Sequence, residues 1–143
     1  MKFVADVMLG RLTRLMRFHG YDVEYDPRAK DDQLLLKMRS RILLTKDRSL
    51  AARGRKTRVY LIETSGPENQ LAEIRKTFPQ PDSGRATRCL LCNSQIRRVR
   101  KRKVEHLVPP FVYRKHETFY FCSRCRRVYW QGTHFEHLMR MIE

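Results

Sequence analysis

Two C-x-x-C pairs constrain this chain more than any other feature. Cys89 and Cys92 form one pair, Cys122 and Cys125 the other, and residues 93–121 separate them. A two-residue spacer lets a tight turn aim both thiolates at one ion. Two such turns complete a tetrahedral shell of sulfurs, which suits Zn2+ and leaves no open coordination position, so the site it predicts is structural. The competing reading, two redox dithiols, lacks the βαβ setting of a thioredoxin-like C-x-x-C. Metal binding would also supply folding free energy that so short a segment cannot draw from its own core.

Upstream of the cysteines the pattern changes. Short apolar runs (KFVAD, DVEY, RILLT, RVYLIE) alternate with helix-like stretches (MLGRLTRLMRFHG, DDQLLLKMRS, DRSLAARGRK, PENQLAEIRKTF). In the first stretch Met8, Leu9, Leu12, Leu15, Met16 and Phe18 fall at helical spacing, and Gly20 is a stop. Asp31 and Asp32 give the second an acidic start, and Pro67 beside Glu68 opens the last. Alternation of this kind predicts an α/β domain with a short parallel sheet and helices on its faces. Right-handed crossovers then put every strand's C-terminal end on one edge. The segment PQPDSGRA breaks the pattern. The charge shifts with it: residues 1–82 hold 17 basic and 11 acidic residues, a net of +6, and residues 83–143 hold 14 and 4, a net of +10. The expected organisation is an α/β domain over 1–80, a linker over 81–86, and a small β-rich zinc ribbon over 87–143.

Lys and Arg number 31 against 15 acids, a formal charge of +16. Such an excess speaks to partners: nucleic acid first, an anionic membrane second. No segment approaches the ~18 uninterrupted apolar residues of a membrane span. The start, MKFVADVMLGRL, carries Asp6 too early for a signal peptide, so the cytoplasm is expected. Between the knuckles Arg97, Arg98, Arg100, Lys101, Arg102 and Lys103 form a dense cationic run. The alternation in FVYRKHETFYF suits strands of a ribbon hairpin. Cations interleaved with Tyr113, Phe119, Tyr120, Tyr129 and Trp130 can hold phosphates and stack unpaired bases, and Tyr129 and Trp130 join the basic run as RNA-contact candidates. The plainer alternative makes these aromatics the core of a small module. His134 and His137 have ligand spacing, but four thiolates already fill a zinc shell, so they read as tail residues.

The stretch RILLTKDRSL ends an apolar run on Asp47, as KFVAD ends one on Asp6. In a parallel sheet both acids lie on the C-terminal edge, where ligand sites form, and Asp31 and Asp32 approach that edge from the second helix. Converging carboxylates repel unless a cation sits among them, and hard oxygen ligands favour Mg2+ or Mn2+. Such an ion can activate water for phosphoryl transfer. Taken singly, Asp47, Asp31 and Asp32 are equally good helix N-caps. Arg11, Arg14, Lys46 and Arg48 are placed to hold an anionic backbone near the acids, although a solvated helix face also accounts for Arg11 and Arg14.

DVMLGRLTRLMRFHGYD, the KDD and ILLTKDRSLA segments, the first C-x-x-C, VPPFVY, FCSRC and VYWQGTHFEHL together resemble the Mut-seven C-terminal RNase family, over nearly the whole chain and in the same order. The resemblance implies a PIN-like three-layer α/β/α domain followed by a zinc ribbon, and metal-dependent ribonuclease activity. By position it implies Asp6, one or both of Asp31 and Asp32, and Asp47 as the acids, with Cys89, Cys92, Cys122 and Cys125 on zinc. PIN nucleases typically assemble four acids; Glu63, ending the fourth strand, is the candidate for the fourth. Many relatives carry Gly after the first Asp, where this chain has Val7. The expected function is an endonucleolytic ribonuclease with Asp6, Asp32 and Asp47 as catalytic residues, Mg2+ or Mn2+ as the catalytic ion, structural Zn2+, and RNA gripped by the ribbon. The rival is a non-catalytic RNA-binding or ribonucleoprotein-associated module with a degenerate PIN-like half. PIN-like domains often pair, so a homodimer comes with the resemblance.

Overall fold

The structure, a computed structural model, describes residues 1–80 and 88–130. The linker expected at 81–86 and the tail histidines His134 and His137 lie outside the described residues.

Four parallel strands, β1 (Lys2–Ala5), β2 (Asp22–Glu24), β3 (Ile42–Thr45) and β4 (Val59–Leu61), form one sheet in the order β2-β1-β3-β4. Helices α1 (Gly10–Phe18), α2 (Asp31–Lys37), α3 (Arg48–Arg53) and α4 (Pro67–Thr77) connect or follow them. Successive strand residues face opposite sides of a sheet. Accordingly Phe3, Ala5 and Leu44 pack with Leu12 and Met16 of α1 and with Leu71 and Ile74 of α4. Val4 and Leu43 face the other way, onto Leu34, Met38 and Leu50 around α2 and α3. The near-continuous apolar strands are what a sheet covered on both faces requires. Burying each such side chain contributes about 1.5–3 kcal/mol.

Several boundaries differ from the expectation. The fourth strand shrinks from RVYLIE to three residues, and the helix expected through Ser40 ends at Lys37. The first helix is entered through a 3-10 turn, Val7–Leu9. Gly10 follows that turn because a Cβ there would lie 2.9 Å from the Tyr25 hydroxyl, which donates to Val7 O at 2.8 Å.

The second part has an antiparallel sheet of β5 (Arg97–Val99), β6 (Phe119–Cys122) and β7 (Arg127–Trp130), in that order. FVYRKHETFYF is not two strands. Its first half is helix α5 (Pro110–Lys115), and the strand begins at Phe119. Pro110 at the first helical position suits a start, and Val108 and Val112 at i and i+4 anchor the turn in a cluster with Val104, Phe119 and Val128.

The two parts meet at the open edge of β2. Arg17 of α1 is 4 % exposed and donates from Nε and Nη2 to Val23 O (3.0 and 2.8 Å) and from Nη1 to Leu90 O (2.8 Å). Asn93, just past the first knuckle, accepts from Val23 N at 3.0 Å and donates to Asp22 at 2.7 Å. An unpaired strand edge is a template for pairing with another chain. Here two side chains satisfy both backbone groups of Val23, one of them reaching over from the ribbon.

Candidate active site and metal centre

The C-terminal edge of the parallel sheet holds the acids. Asp6 sits just past β1, and its N–H donates to Leu44 O at 2.9 Å, extending the β1–β3 ladder. Its carboxylate is 4 % exposed. Oδ1 accepts the Val7 N–H at 2.6 Å and Oδ2 accepts the Thr45 hydroxyl at 2.7 Å. Thr45 Oγ1 in turn accepts the Asp47 N–H at 2.9 Å. One buried hydroxyl thus locks the ends of β1 and β3 together. Asp47 caps α3, with Oδ1 accepting from Ser49 N and Leu50 N at 2.8 and 3.2 Å. Its second oxygen has no hydrogen bond among the described residues. Cap and candidate ligand are therefore compatible roles, one for each oxygen.

The other proposed acids stand apart. Asp31 and Asp32 open α2 and both face Arg53, at 3.5 and 2.7 Å. Arg53 is a partner that the sequence did not reveal. Glu63 is exposed, and the carboxylate that organises its loop is Glu73 of α4. Glu73 accepts from Tyr60 Oη (3.0 Å), Glu63 N (3.1 Å), and the backbone and hydroxyl of Thr64. Burial disfavours the Glu73 anion, but these donors, Thr64 first, outweigh it and hold the carboxyl below its usual range. Lys46 donates to Thr64 O and Ser65 Oγ at 2.8 and 3.1 Å, so it ties the β3 and β4 ends together. Arg48 and Arg11 are exposed and Arg14 is half-buried on α1.

The sulfurs of Cys89, Cys92, Cys122 and Cys125 lie within 4.8 Å of one another, and among the described residues they form the one group of three or more His, Cys, Asp or Glu side chains gathered this closely. The knuckles are alike in backbone: the residue after each second cysteine, Asn93 and Arg126, has positive φ (69° and 55°). Asn tolerates that left-handed turn well. Four thiols this close cannot all ionise alone. Burial opposes the Cys92 thiolate, yet donors led by Ser94 bring it down to about 6, while burial and the neighbouring sulfurs push Cys125 up to about 12. A divalent cation would resolve that conflict, and the four-sulfur donor set fits zinc. The surroundings fit as well. Arg17 lies near Cys89 and Cys92, whose negative charge offsets the burial that lowers its pKa.

Tyr129 corrects the expectation of a base-stacking residue. It is buried, its hydroxyl lies 3.0 Å from Cys89 Sγ and accepts the Leu90 N–H at 3.2 Å, and burial followed by Cys89 raises its pKa. Trp130 is half-buried against His116 and Phe119. In the basic run Arg97, Arg98, Arg100, Arg102 and Lys103 are exposed. Lys101 instead folds onto the Tyr113 ring at 4.8 Å and onto Glu117 at 3.0 Å.

The arrangement defines an α/β protein with aspartates at one sheet edge and a four-cysteine centre packed against another. A family model described as the Mut7-C RNAse domain matches residues 1–142, and the chain belongs to that family. No curated protein and no solved structure matches it. No helix among the described residues is long and apolar enough to cross a membrane.

Proposed function

We propose that this protein hydrolyses RNA phosphodiester bonds as a metal-dependent endonuclease. The observation that carries the reading is the Asp6–Thr45–Asp47 arrangement: a buried carboxylate, fixed by a buried hydroxyl that also holds the Asp47 N–H, with one Asp47 oxygen unengaged among the described residues. Burial is costly for Asp6, which has no ion pair among the described residues, and the strand-end edge is the usual place for a ligand. Bound Mg2+ or Mn2+ would supply a Lewis acid and an activated water. Thr45 holds Asp6 at a fixed angle, the α3 cap fixes Asp47, and the Lys46 bridge sets the β4 loop at their side. Asp32 and Asp31 complete the ligand set once RNA phosphate takes Arg53 from them, and Glu63 is the fourth acid of the proposal. Zinc closes the ribbon as a structural ion.

A second reading is favoured by one observation: Asp31 and Asp32 are already paired with one cation, Arg53. On that reading the protein binds RNA without cutting it. Cleavage of a labelled structured RNA pool decides between the two, with Mn2+ present or omitted, beside a D6N/D47N variant. Mn2+-dependent cutting lost in the variant supports hydrolysis. Equal binding by both proteins and no cutting, or cutting retained in the variant, overturns it.

A further inference from the structure

With Tyr129 turned inward, the aromatic ring that the described residues of the ribbon offer to solvent is Phe111, 63 % exposed. It belongs to α5, where Arg114 and Lys115 follow at i+3 and i+4 and are exposed too. Residues at those spacings share a helix face, about 5–6 Å apart at Cβ. Val112, about 100° round the helix from Phe111, is buried in the ribbon's second cluster. Pro109 and Pro110 precede Phe111 and fix the start of the helix. The ring is thus held on a rigid mount with two cations one turn away, and exposed Arg102 and Lys103 continue the charge upstream.

We propose that the Phe111–Arg114–Lys115 face of α5 is a platform for single-stranded RNA, one base stacking on Phe111 while Arg114 and Lys115 take the flanking phosphates. The proposal deepens the ribonuclease reading, and rests on it for the choice of RNA. An unpaired base has the π-face that an isolated ring can use, whereas a duplex keeps its bases stacked inside. The surplus of ten positive charges over 83–143 complements a polyanion. A bilayer surface is the poorer occupant, because α5 spans six residues and interfacial helices need a long apolar face.

The test uses zinc-loaded full-length D6N/D47N protein without added Mg2+ or Mn2+, so that binding is read apart from cutting. Fluorescence anisotropy with a short labelled oligouridine should show F111A binding about tenfold more weakly, with F111W restoring affinity and F111L failing to. R114Q/K115Q should make the salt dependence shallower by about 1.4 in log–log slope, two single-strand phosphate contacts. All these positions are exposed, and unchanged thermal melts would show that the variants fold. F111L binding as tightly as the parent, or an unchanged slope in R114Q/K115Q, overturns the platform. So does Phe111-dependent capture by phosphatidylserine vesicles with oligouridine binding unaffected by F111A. Failure of the nuclease reading looks different: no cleavage by the wild type, with Phe111-dependent binding intact.

Discussion

The cysteine centre and the acid edge both gather potential metal ligands, and they do so on opposite terms. At the cysteines, two local turns bring four like groups within 4.8 Å, and among the described residues Arg17 is a nearby cation whose single charge cannot balance four thiolates. At the acid edge, the acids come from two strand ends and a helix start, and each already meets protein donors: Asp6 meets Thr45 and Val7, Asp47 meets α3, Asp31 and Asp32 meet Arg53. A centre with no internal substitute for its ion depends on that ion to fold. A centre whose acids are held by hydrogen bonds can stand without one and take it up for chemistry. On the proposed function this difference separates a structural metal from a catalytic one, and it can be broken experimentally from either side.

The largest effect should follow zinc removal, since structural zinc is worth about 10–16 kcal/mol in small modules. The loss should cross the junction, because Asn93 sits directly after the first knuckle and holds the Val23 N–H. Hydrogen exchange should therefore show Val23 losing protection in chelator-treated or C122S protein, while Leu43 and Leu44, in the core of the parallel sheet, keep theirs. Val23 protection unaffected by chelation would mean that the β2 edge is closed without the metal.

A smaller effect is expected at the acid edge. Thr45→Val keeps the shape but strips Asp6 of a donor in a buried setting and the Asp47 N–H of its acceptor in a partly buried one. A buried unsatisfied polar group costs about 1–3 kcal/mol. A loss of about 2 kcal/mol corresponds to roughly 4–8 °C in Tm for a chain of this size. Thr45→Ser should recover most of the stability and any cleavage. If the valine variant melts with the wild type, Thr45 is not the lock between β1 and β3.

What could be read from the sequence follows the same division. The knuckles were legible because C-x-x-C specifies its own geometry within four residues. The parallel sheet was legible because its strands are short, apolar and spaced by helices with start and stop signals. Asp47 as a strand-end acid was legible too, and so was its capping alternative; the geometry makes the cap real and leaves one oxygen over. The partners were not legible, because they are long-range. Nothing local to Arg17 distinguishes it from Arg11 or Arg14, yet it is the one buried against Leu90 O, far along the chain. Arg53, Glu73 and Asn93 are likewise ordinary helix or turn residues until the fold brings their partners to them. The strand expected in FVYRKHETFYF failed for a local reason: alternation in five residues is weak evidence beside a Pro-Pro start. Tyr129 failed for a general one, since an aromatic near cations is more often core than platform.

The smallest predicted effect compares two carboxylates across the molecule, Asp22 at the junction and Glu73 at the β4 loop. Burial raises the pKa of both. In Asp22 this is outweighed by Arg41 at 2.7 Å, then by Asn93 and Arg88; in Glu73 it is outweighed by neutral donors led by Thr64. Both end below their ordinary values. A carboxyl depressed in the folded state binds fewer protons there than in the unfolded chain, so stability rises with pH through that window. The contribution is complete above the unfolded carboxylate range, about pH 4–4.5, and is lost as pH falls through the lower folded value. Urea midpoints should thus be flat with respect to these two groups from pH 7 to about 5 and fall below that. D22N and E73Q should each flatten the acid limb, and D22N should also sensitise Val23 exchange, because Asn93 loses the anion it is fastened to. An acid limb unchanged in both variants would place the acid sensitivity outside these two carboxylates.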